Sequence, residues 1–378
     1  MEKPQFRLIK TPEQWEACLV QLQAEPRVAV DLEANSMYAY RESVCLIQVS
    51  TPQQDFILDP LAPFNLDAFG QILEDPTVEK IFHAAEYDLI LMKRQYDWEL
   101  NNLFDTMWAA RILGYKRYGL ASLIEQFFNV HLNKRYQKSN WCKRPLSPAQ
   151  LSYACFDTHF LFSLRDRLTA EILEKGCLEE AEETFAEHTR VTLSDNGFDP
   201  DSFWSINGAH DLTRQEQAVL KALNIYRDQE AKRRDQPLFK IFSDRTLLEI
   251  AQVSPNNFAE LSVIHGMSKG QIRRYGRELL DIVTAAENQK PPVPPKRPKR
   301  ASDSVMTRYE TLHTWRKNRA RARGVESDVI ISRNALWELA HSNPKDIEEL
   351  DQLESIGSWR TKTYGQEILQ LLQESDTG

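Results

Sequence analysis

The hydrophobic and polar positions of the first hundred residues alternate in short blocks that predict strands. The blocks read RVAVDLE (27–33), SVCLIQVS (43–50) and QDFILD (54–59), and they are rich in β-branched residues. Because they follow one another so closely, we expect them to pair as antiparallel neighbours. A helix over about 65–73, a strand ending near EKIFHA and a helix from Glu86 continue the pattern, which becomes mostly helical after Leu103. This order predicts an α/β domain.

The clearest predicted helix is the stretch LSPAQLSYACFDTHFLFSLRDRLTAEIL. Ser147 has the side chain of an N-cap, Pro148 suits the first helical position, and Gln150 completes the spacing of a capping box. In such a helix Tyr153 and Asp157, four positions apart, fall on one face.

The C-terminal half contains an internal repeat, because shifting the sequence by 89 positions aligns two segments without a gap. The matching pairs include Leu223 with Leu312, Arg227 with Arg316, Ala231 with Ala320, Arg234 with Arg323, Leu247 with Leu336, Pro255 with Pro344, and Tyr275 with Tyr364. The repeat predicts two copies of one small helical module.

Two stretches of the sequence predict domain boundaries. NQKPPVPPKRPKRASDS, from Asn288, is rich in Pro, Lys and Arg, which predicts an extended linker. Gly, Pro, Asp and Asn gather near Asp195. We therefore predict an α/β domain over residues 1–205, helical domains over 210–288 and 304–378, and a linker over 289–303.

The composition is that of a globular chain, with 42% hydrophobic and 27% charged residues among 378. That length favours more than one domain. The first residues, MEKPQFRLIK, carry charges where a signal peptide needs an apolar stretch, and no apolar run is long enough to span a membrane. We therefore predict a cytoplasmic protein without a membrane partner.

The cysteines are scattered, odd in number and without a C-x-x-C pair. This pattern argues against a disulfide framework and against a zinc site. We expect reduced thiols at all five positions, which are Cys18, Cys45, Cys142, Cys155 and Cys177.

The net charge of −8 hides an uneven distribution. Residues 1–211 contain 20 Lys and Arg against 32 Asp and Glu, and residues 301–378 contain 10 against 13. Residues 212–300 contain 17 against 10, a net charge of +7. A basic segment suits a nucleic-acid partner, although basic residues clustered by chance on solvated helix faces would give the same count.

Four acidic residues and one tyrosine are the candidates for chemistry. Asp31 and Glu33 lie two apart in an otherwise apolar strand, so alternation turns both to one face, where they repel each other unless a cation intervenes. Asp88 lies where a strand meets a helix, and Asp157 follows Tyr153 on the capped helix. Each alone is most simply a solvated acid, but together they form a set of oxygen ligands that hard divalent cations prefer.

The order D-x-E, then an Asp where a strand meets a helix, then Y-x-x-x-D on a later helix resembles the tyrosine-bearing branch of the DEDD exonuclease superfamily. The stretches CLIQVS, FHAAEYDL, FDTMWAARIL and SNWCKRPLSPAQLSYACFDTHFL resemble ribonuclease D in particular, and the duplicated modules resemble HRDC domains. The likeness covers nearly the whole chain. One departure is DLEAN, where the family often has D-x-E-F, and this bears on how the first nucleotide packs.

The resemblance implies a ribonuclease H-like α/β domain, with a mixed sheet flanked by helices, followed by two all-α HRDC-like domains. It also implies a monomeric 3′-5′ exoribonuclease that releases nucleoside 5′-monophosphates, with transfer RNA precursors bearing 3′ extensions as substrate. Two Mg²⁺ or Mn²⁺ ions, and no small-molecule cofactor, would serve the reaction. Asp31, Glu33 and Asp157 would hold one ion, while Asp31 and Asp88 would hold the other. Tyr153 would orient the attacking water, since a phenol is too weak an acid to act as the base.

Further residues are candidates for contact with RNA, because aromatic side chains interleaved with cations suit stacked bases and phosphates. Ordinary surface placement, or a packed core histidine at position 83, explains them equally simply. These candidates are Tyr40, Arg41, His83, Lys134, Arg135, Lys138, Trp141, Arg144, Arg273 and Arg274. Asp105 is expected to cap the helix that follows it. We expect the first helical module to bind nucleic acid more tightly than the second, which has more acidic residues.

Two other functions fit the same residues. A 3′-5′ exodeoxyribonuclease acting in DNA repair would use the same carboxylates, because discrimination between RNA and DNA depends on contacts to the 2′-hydroxyl that motifs do not reveal. An inactive RNA-binding scaffold would be expected to lack at least one of the four acids, and all four are present.

Overall fold

The computed structural model describes residues 4–193, 197–287, 289–296 and 300–377. Asp195 at the predicted boundary, and Asn288, Arg297, Pro298 and Lys299 of the predicted linker stretch, lie outside these residues. No helix among the described residues combines the length and the apolar character that a membrane span requires.

A six-stranded mixed sheet forms the centre of the N-terminal region, in agreement with the mixed sheet that the resemblance implies. The strands are β1 (Phe6–Ile9), β2 (Arg27–Ala34), β3 (Val44–Ser50), β4 (Asp55–Leu58), β5 (Glu79–Phe82) and β6 (Leu103–Asp105). Their order in the sheet is β1-β4-β3-β2-β5-β6. The expected antiparallel pairing of β2 with β3 and of β3 with β4 is confirmed, and the remaining pairs are parallel.

Eight helices accompany this sheet in the described residues. They are α1 (Pro12–Gln23), α2 (Asp67–Glu74), α3 (Glu86–Tyr96), α4 (Thr106–Ile112), α5 (Leu120–Phe128), α6 (Pro148–His159), α7 (Leu161–Glu174) and α8 (Leu178–His188). The predicted capping box of α6 is confirmed, because the Ser147 hydroxyl accepts from the backbone of Gln150 and the Gln150 side chain accepts from the backbone of Ser147. The single long helix predicted here is divided at Phe160 into α6 and α7.

Two helical modules follow. The first helical module contains α9 (Arg214–Arg234), α10 (Leu238–Ile241), α11 (Asp244–Val253), α12 (Phe258–Ser262) and α13 (Lys269–Glu287). The second helical module contains α14 (Asp303–Arg323), α15 (Ser327–Ile330), α16 (Arg333–Ser342), α17 (Ile347–Asp351) and α18 (Ser358–Thr377). Each helix of the second begins 89 residues after its counterpart. The helix caps repeat as well, since Ser243 and Ser332 cap α11 and α16 through their hydroxyls.

The described residues form two compact units. One contains the described parts of Met1–Ala34, Val44–Leu193 and Lys299–Gly378, and the other contains those of Asn35–Ser43 and Ser194–Pro298. The second helical module therefore belongs to the same unit as the sheet. Each module has its own apolar core, built around residues such as Leu247 in the first and Leu336 in the second.

The prediction of five reduced thiols is wrong for Cys45 and Cys142, which form a disulfide. The two residues are 97 positions apart in sequence, but their Cα atoms lie 4.8 Å apart because the segment before α6 packs beside β3. Cys18, Cys155 and Cys177 are free thiols, as expected.

Candidate active site

The sheet presents Asp31 and Glu33 on the face that α6 covers. Val28, Val30 and Leu32 point into the main core, so alternation along β2 turns the two acids to the opposite face. On that face, apolar side chains of β3 and β4 pack against Ala154 and Cys155 of α6. These contacts bring the helix that carries Tyr153 and Asp157 over the two strand carboxylates.

Asp88 lies in the first turn of α3, and Asp105 fixes the loop before that helix. The Asp105 carboxylate accepts hydrogen bonds from the backbone of Ala84 at 3.1 Å and of Ala85 at 2.8 Å. It also accepts from the backbone of Met107 at 2.8 Å, which confirms its predicted role as the cap of α4. Ala84 is held with a positive φ of 63°. Asp105 thus acts on the candidate site by positioning the helix that bears Asp88.

The four candidate carboxylates influence one another electrostatically. Burial raises the pKa of Asp31 to about 7. For Glu33, burial and the charges of Asp31, Asp157 and Asp88 raise the pKa to about 10. The pKa values of Asp88 and Asp157 are also raised, first by burial and then by the charge of Asp31. Acids that share a site in this way favour a cation between them.

Tyr153 lies among the carboxylates with its ring held by aromatic neighbours. Trp141 stacks on it with ring centroids 5.9 Å apart, and Tyr136 approaches edge-on at 6.3 Å. Burial, and then the charges of Asp157 and Glu33, raise the pKa of Tyr153 above its ordinary value. The phenol therefore keeps its proton at neutral pH and can donate a hydrogen bond.

A cavity of about 600 Å³ opens beside Tyr153 and Asp157. Its lining combines aromatic and apolar side chains with a few polar ones, among them His83, Leu120, Leu132, Lys134, Tyr136 and Phe156. The Nδ1 atom of His83 lies 2.9 Å from the Thr106 hydroxyl, and burial lowers the pKa of His83 to about 4, so its ring is neutral. This shape and lining suit the terminal nucleotide of a nucleic-acid strand.

The candidate metal ligands are all carboxylate oxygens, the donor set that hard divalent cations prefer. Within the described ranges, no three or more His, Cys, Asp or Glu side chains stand already arranged around a metal position. What links these acids to a metal is therefore their chemistry and their mutual electrostatic influence, and not a preformed coordination geometry.

Comparison with known proteins identifies the family. A sequence profile of 3′-5′ exonucleases matches residues 6–173, and a profile of the HRDC domain matches residues 216–283 and 306–372. A ribonuclease D of Gluconacetobacter diazotrophicus is 32% identical over 285 residues, which cover 74% of this chain and 71% of the relative. The chain belongs to the ribonuclease D family.

Solved structures agree with this family. The catalytic core of RRP6 from Trypanosoma brucei is 29% identical, with a TM-score of 0.67 over 76% of this chain and 82% of that chain. Ribonuclease D of Escherichia coli shares the fold over 98% of this chain and 99% of its own, with a TM-score of 0.68 and 24% identity. As a ribonuclease D family member, the chain is a 3′-5′ exoribonuclease of the DEDD superfamily, whose members generally use divalent metal ions.

Two residues predicted to contact RNA make their contacts within the protein. Trp141 is 1% exposed and belongs to the apolar cluster under α6. Arg144 forms a bidentate pair with Asp59 at 2.7 Å and donates to the backbone carbonyls of Trp141 and Cys45. Trp141 packs on Tyr153 and is not presented to a nucleic acid, whereas Arg144 holds the segment before α6 to Asp59 and to β3.

The other predicted RNA contacts are more accessible. Lys134, Arg135 and Lys138 are exposed, and Lys134 stands on the rim of the cavity. Arg273 and Arg274 are exposed on α13.

Tyr40 and Arg41 belong to the same compact unit as the first helical module. Arg41 is exposed, whereas the Tyr40 hydroxyl donates to Asp228 at 2.6 Å. Tyr40 therefore packs in its unit and does not form a free stacking surface.

Several cavity residues have no specific signature in the sequence. Leu120 and Leu132 line the cavity, yet each is an ordinary hydrophobic position in the sequence. Tyr136 belongs to the basic and aromatic stretch KRYQKSNWCKR, which is the one signal that could have identified it.

Proposed function

We propose that this chain shortens RNA from the 3′ end by hydrolysis with two divalent metal ions, releasing nucleoside 5′-monophosphates. The observation that carries the proposal is the mutual influence of four carboxylates, Asp88 buried and the other three half-buried, beside a cavity of nucleotide size. Asp31, Glu33 and Asp157 would hold one ion, and Asp31 and Asp88 the other. When bound, Mg²⁺ or Mn²⁺ ions lower the pKa of a water and stabilise charge on the leaving oxygen.

The remaining steps use side chains of the chain itself. Tyr153 keeps its proton and orients the attacking water by a hydrogen bond from its hydroxyl. The apolar cavity wall, including Phe156 and Tyr136, stacks against the terminal base, and Lys134 on the rim pairs with a phosphate. Neutral His83 provides a further hydrogen-bonding group without adding charge.

We propose transfer RNA precursors with 3′ extensions as the substrate. The support is the sequence similarity to curated proteins named ribonuclease D, which covers as much as 97% of this chain. The monomeric state and the cytoplasmic location predicted from the sequence remain predictions.

The test is degradation of a 3′-extended transfer RNA precursor and a length-matched single-stranded DNA, both labelled at the 5′ end, with Mg²⁺, Mn²⁺ or chelator. We expect stepwise shortening of the RNA, abolished by chelator. Asp31→Ala should lower the rate of RNA shortening by more than ~10–100-fold, which is the loss expected when a residue behind a metal ligand is removed. Asp97→Ala, an exposed carboxylate at the end of α3, is the matched control and should keep full activity.

Two results would overturn the proposal. Equal or faster loss of the DNA would identify an exodeoxyribonuclease as the better assignment. Full activity of Asp31→Ala would remove the carboxylate mechanism.

A further inference from the structure

Gln48 is a polar residue in a layer where its neighbours are apolar. It is 0% exposed, and neither its amide nitrogen nor its amide oxygen has a hydrogen-bond partner among the described residues. Among the described residues, no other buried side chain has two polar atoms that both lack a hydrogen-bond partner. Buried amides in native proteins are nearly always paired, so an orphaned one calls for a functional explanation.

The sheet register places Gln48 beside the candidate metal ligands. On β3 it stands directly opposite Asp31 of β2 on one side and Ile57 of β4 on the other. Residues directly opposite in an antiparallel pair share a face, with Cβ atoms roughly 4.5–5.5 Å apart. Two residues further along the same face, the Ser50 hydroxyl lies 2.7 Å from the Thr158 hydroxyl of α6. Gln48 therefore lies in the layer between the sheet and the helix that carries Tyr153.

The rest of this layer shows what the fold alone needs there. Leu46 and Ile57 occupy the adjacent positions and pack with Ala154 and Cys155 of α6. A Leu or Met at position 48 would extend this apolar packing, whereas a glutamine adds an amide whose desolvation is uncompensated. The polar group directly across the strand pair is the carboxylate of Asp31.

We propose that Gln48 is a positioning residue for the metal site, whose amide N–H donates to the Asp31 carboxylate and fixes its orientation when Asp31 binds metal. The inference rests on the proposed function, in which Asp31 is shared by both ions. Hydrogen bonds from residues behind a ligand commonly set the orientation of metal-binding carboxylates. Gln48 pays for this role in stability, since its amide is unpaired among the protein groups that surround it.

The experiment measures Mn²⁺ binding by calorimetry and thermal unfolding of the full chain, each for wild type, Gln48→Met and Ile57→Met. Methionine is close to glutamine in size and lacks the amide. Ile57→Met is the matched control, because it alters packing beside Gln48 in the same layer and leaves the Gln48 amide in place. Asp31→Asn reports on the metal site itself.

We expect Gln48→Met to bind Mn²⁺ about 10–100-fold more weakly than wild type. In chelator its Tm should equal or exceed that of wild type by up to about 2–4 °C, because the orphaned amide is gone. At subsaturating Mn²⁺ its kcat should fall while KM for RNA stays unchanged, and added Mn²⁺ should restore much of the loss.

A purely structural role for Gln48 would give the opposite pattern. Unchanged Mn²⁺ affinity in Gln48→Met, or an equal loss of affinity in Ile57→Met, would overturn the inference. If Asp31→Asn binds Mn²⁺ as wild type does, the assignment of the metal site fails first, and the inference fails with it. Weakened binding in both Asp31→Asn and Gln48→Met, with Ile57→Met normal, supports both.

Discussion

The two helical modules have the same internal design but use their basic residues differently. Arg227 in the first and Arg316 in the second occupy the same place in the repeat, and each donates to a backbone carbonyl 15 residues ahead, Phe242 and Ile331. The distances are 3.3 and 3.2 Å. These buried arginines hold each module together, so the duplicated sequence preserves the interior of the fold.

Outside the interior the two copies differ. Arg234 of the first module pairs with Glu230 of its own helix at 3.0 Å. Its counterpart Arg323 forms a bidentate pair with Glu180 of α8 at 2.7 and 2.8 Å, and the Glu180 side chain is only 1% exposed. In the second module, cations that would otherwise be available to a phosphate are used to attach the module to α8.

One position shows how the attachment is added to the common design. Gln271 donates to the carbonyl of Ile241, and its counterpart Arg360 donates to the matching carbonyl of Ile330. Arg360 also reaches Glu183 of α8 at 2.8 Å. The arginine therefore keeps the bond within the module and adds a link that glutamine is too short and uncharged to make.

The largest expected effect comes from breaking this link with Arg360→Gln. The variant takes the residue that the first module has at this place, so the bond to Ile330 can be kept. Glu183 then loses its cationic partner and keeps only the hydrogen bonds from the backbone of residues 359 and 360. Because the two side chains are only 5% and 13% exposed, we expect the free energy of unfolding to fall by about 3 kcal/mol. Chemical denaturation followed by circular dichroism measures it.

The matched control is Arg319→Gln, which breaks an exposed ion pair with Glu367 inside the second module. It should cost less than about 1 kcal/mol. Adding Glu183→Gln to Arg360→Gln should recover part of the loss, since no largely buried carboxylate is then left without a cation. A cost for Arg360→Gln no larger than that of the control would mean that the link is worth no more than a surface pair.

The second expected effect concerns RNA binding by the first module. Arg273, Arg274 and Arg277 are exposed on α13. Replacing all three with glutamine should weaken RNA binding about tenfold at ~0.1 M salt. The slope of log affinity against log salt should fall by about 2, because each phosphate contact to a single strand contributes roughly 0.7. Fluorescence anisotropy over a salt series measures both quantities.

A matched set of substitutions in the second module tests whether RNA affinity depends on the surface of α13 or only on the net charge of the protein. Lys317, Arg321 and Arg333 are also exposed, and replacing them with glutamine changes the charge by the same amount. We expect little change in affinity. If this control weakens binding as much as the first set, the difference between the modules as RNA-binding surfaces does not exist.

Local signals explain why much of the fold could be predicted from sequence. The capping box at Ser147 and Gln150 and the helix caps of the repeat depend on residues three positions apart, so they are visible in a short window. The repeat needed no alignment gap, and all five helices of each module follow it. Asp31, Glu33, Asp88 and Asp157 could be grouped because their spacing and order resemble a known family.

The remaining features depend on contacts between distant parts of the chain. No residue near Cys45 in the sequence indicates that it pairs with Cys142. A Trp beside basic residues has the same sequence context whether it faces RNA or, like Trp141, packs on a tyrosine. Gln48 lies in a mostly apolar strand, and the sequence of that strand does not show that it faces Asp31 across the sheet. Nor does the sequence of the second module show that Arg323 and Arg360 are paired with α8.

The smallest expected effect concerns an exposed ion pair between the second helical module and α8. Lys362 is the counterpart of Arg273, and it pairs with Glu179 of α8 at 3.2 Å, but both side chains are more than 60% exposed. Because solvent screens such a pair, Lys362→Gln should change the free energy of unfolding by less than about 0.5 kcal/mol and leave RNA affinity unchanged. Denaturation and anisotropy on the same preparation measure the two quantities. A loss of stability near that of Arg360→Gln would extend the attachment to the exposed rim, whereas a loss of RNA affinity would mean that the second module also keeps a basic contact for the substrate.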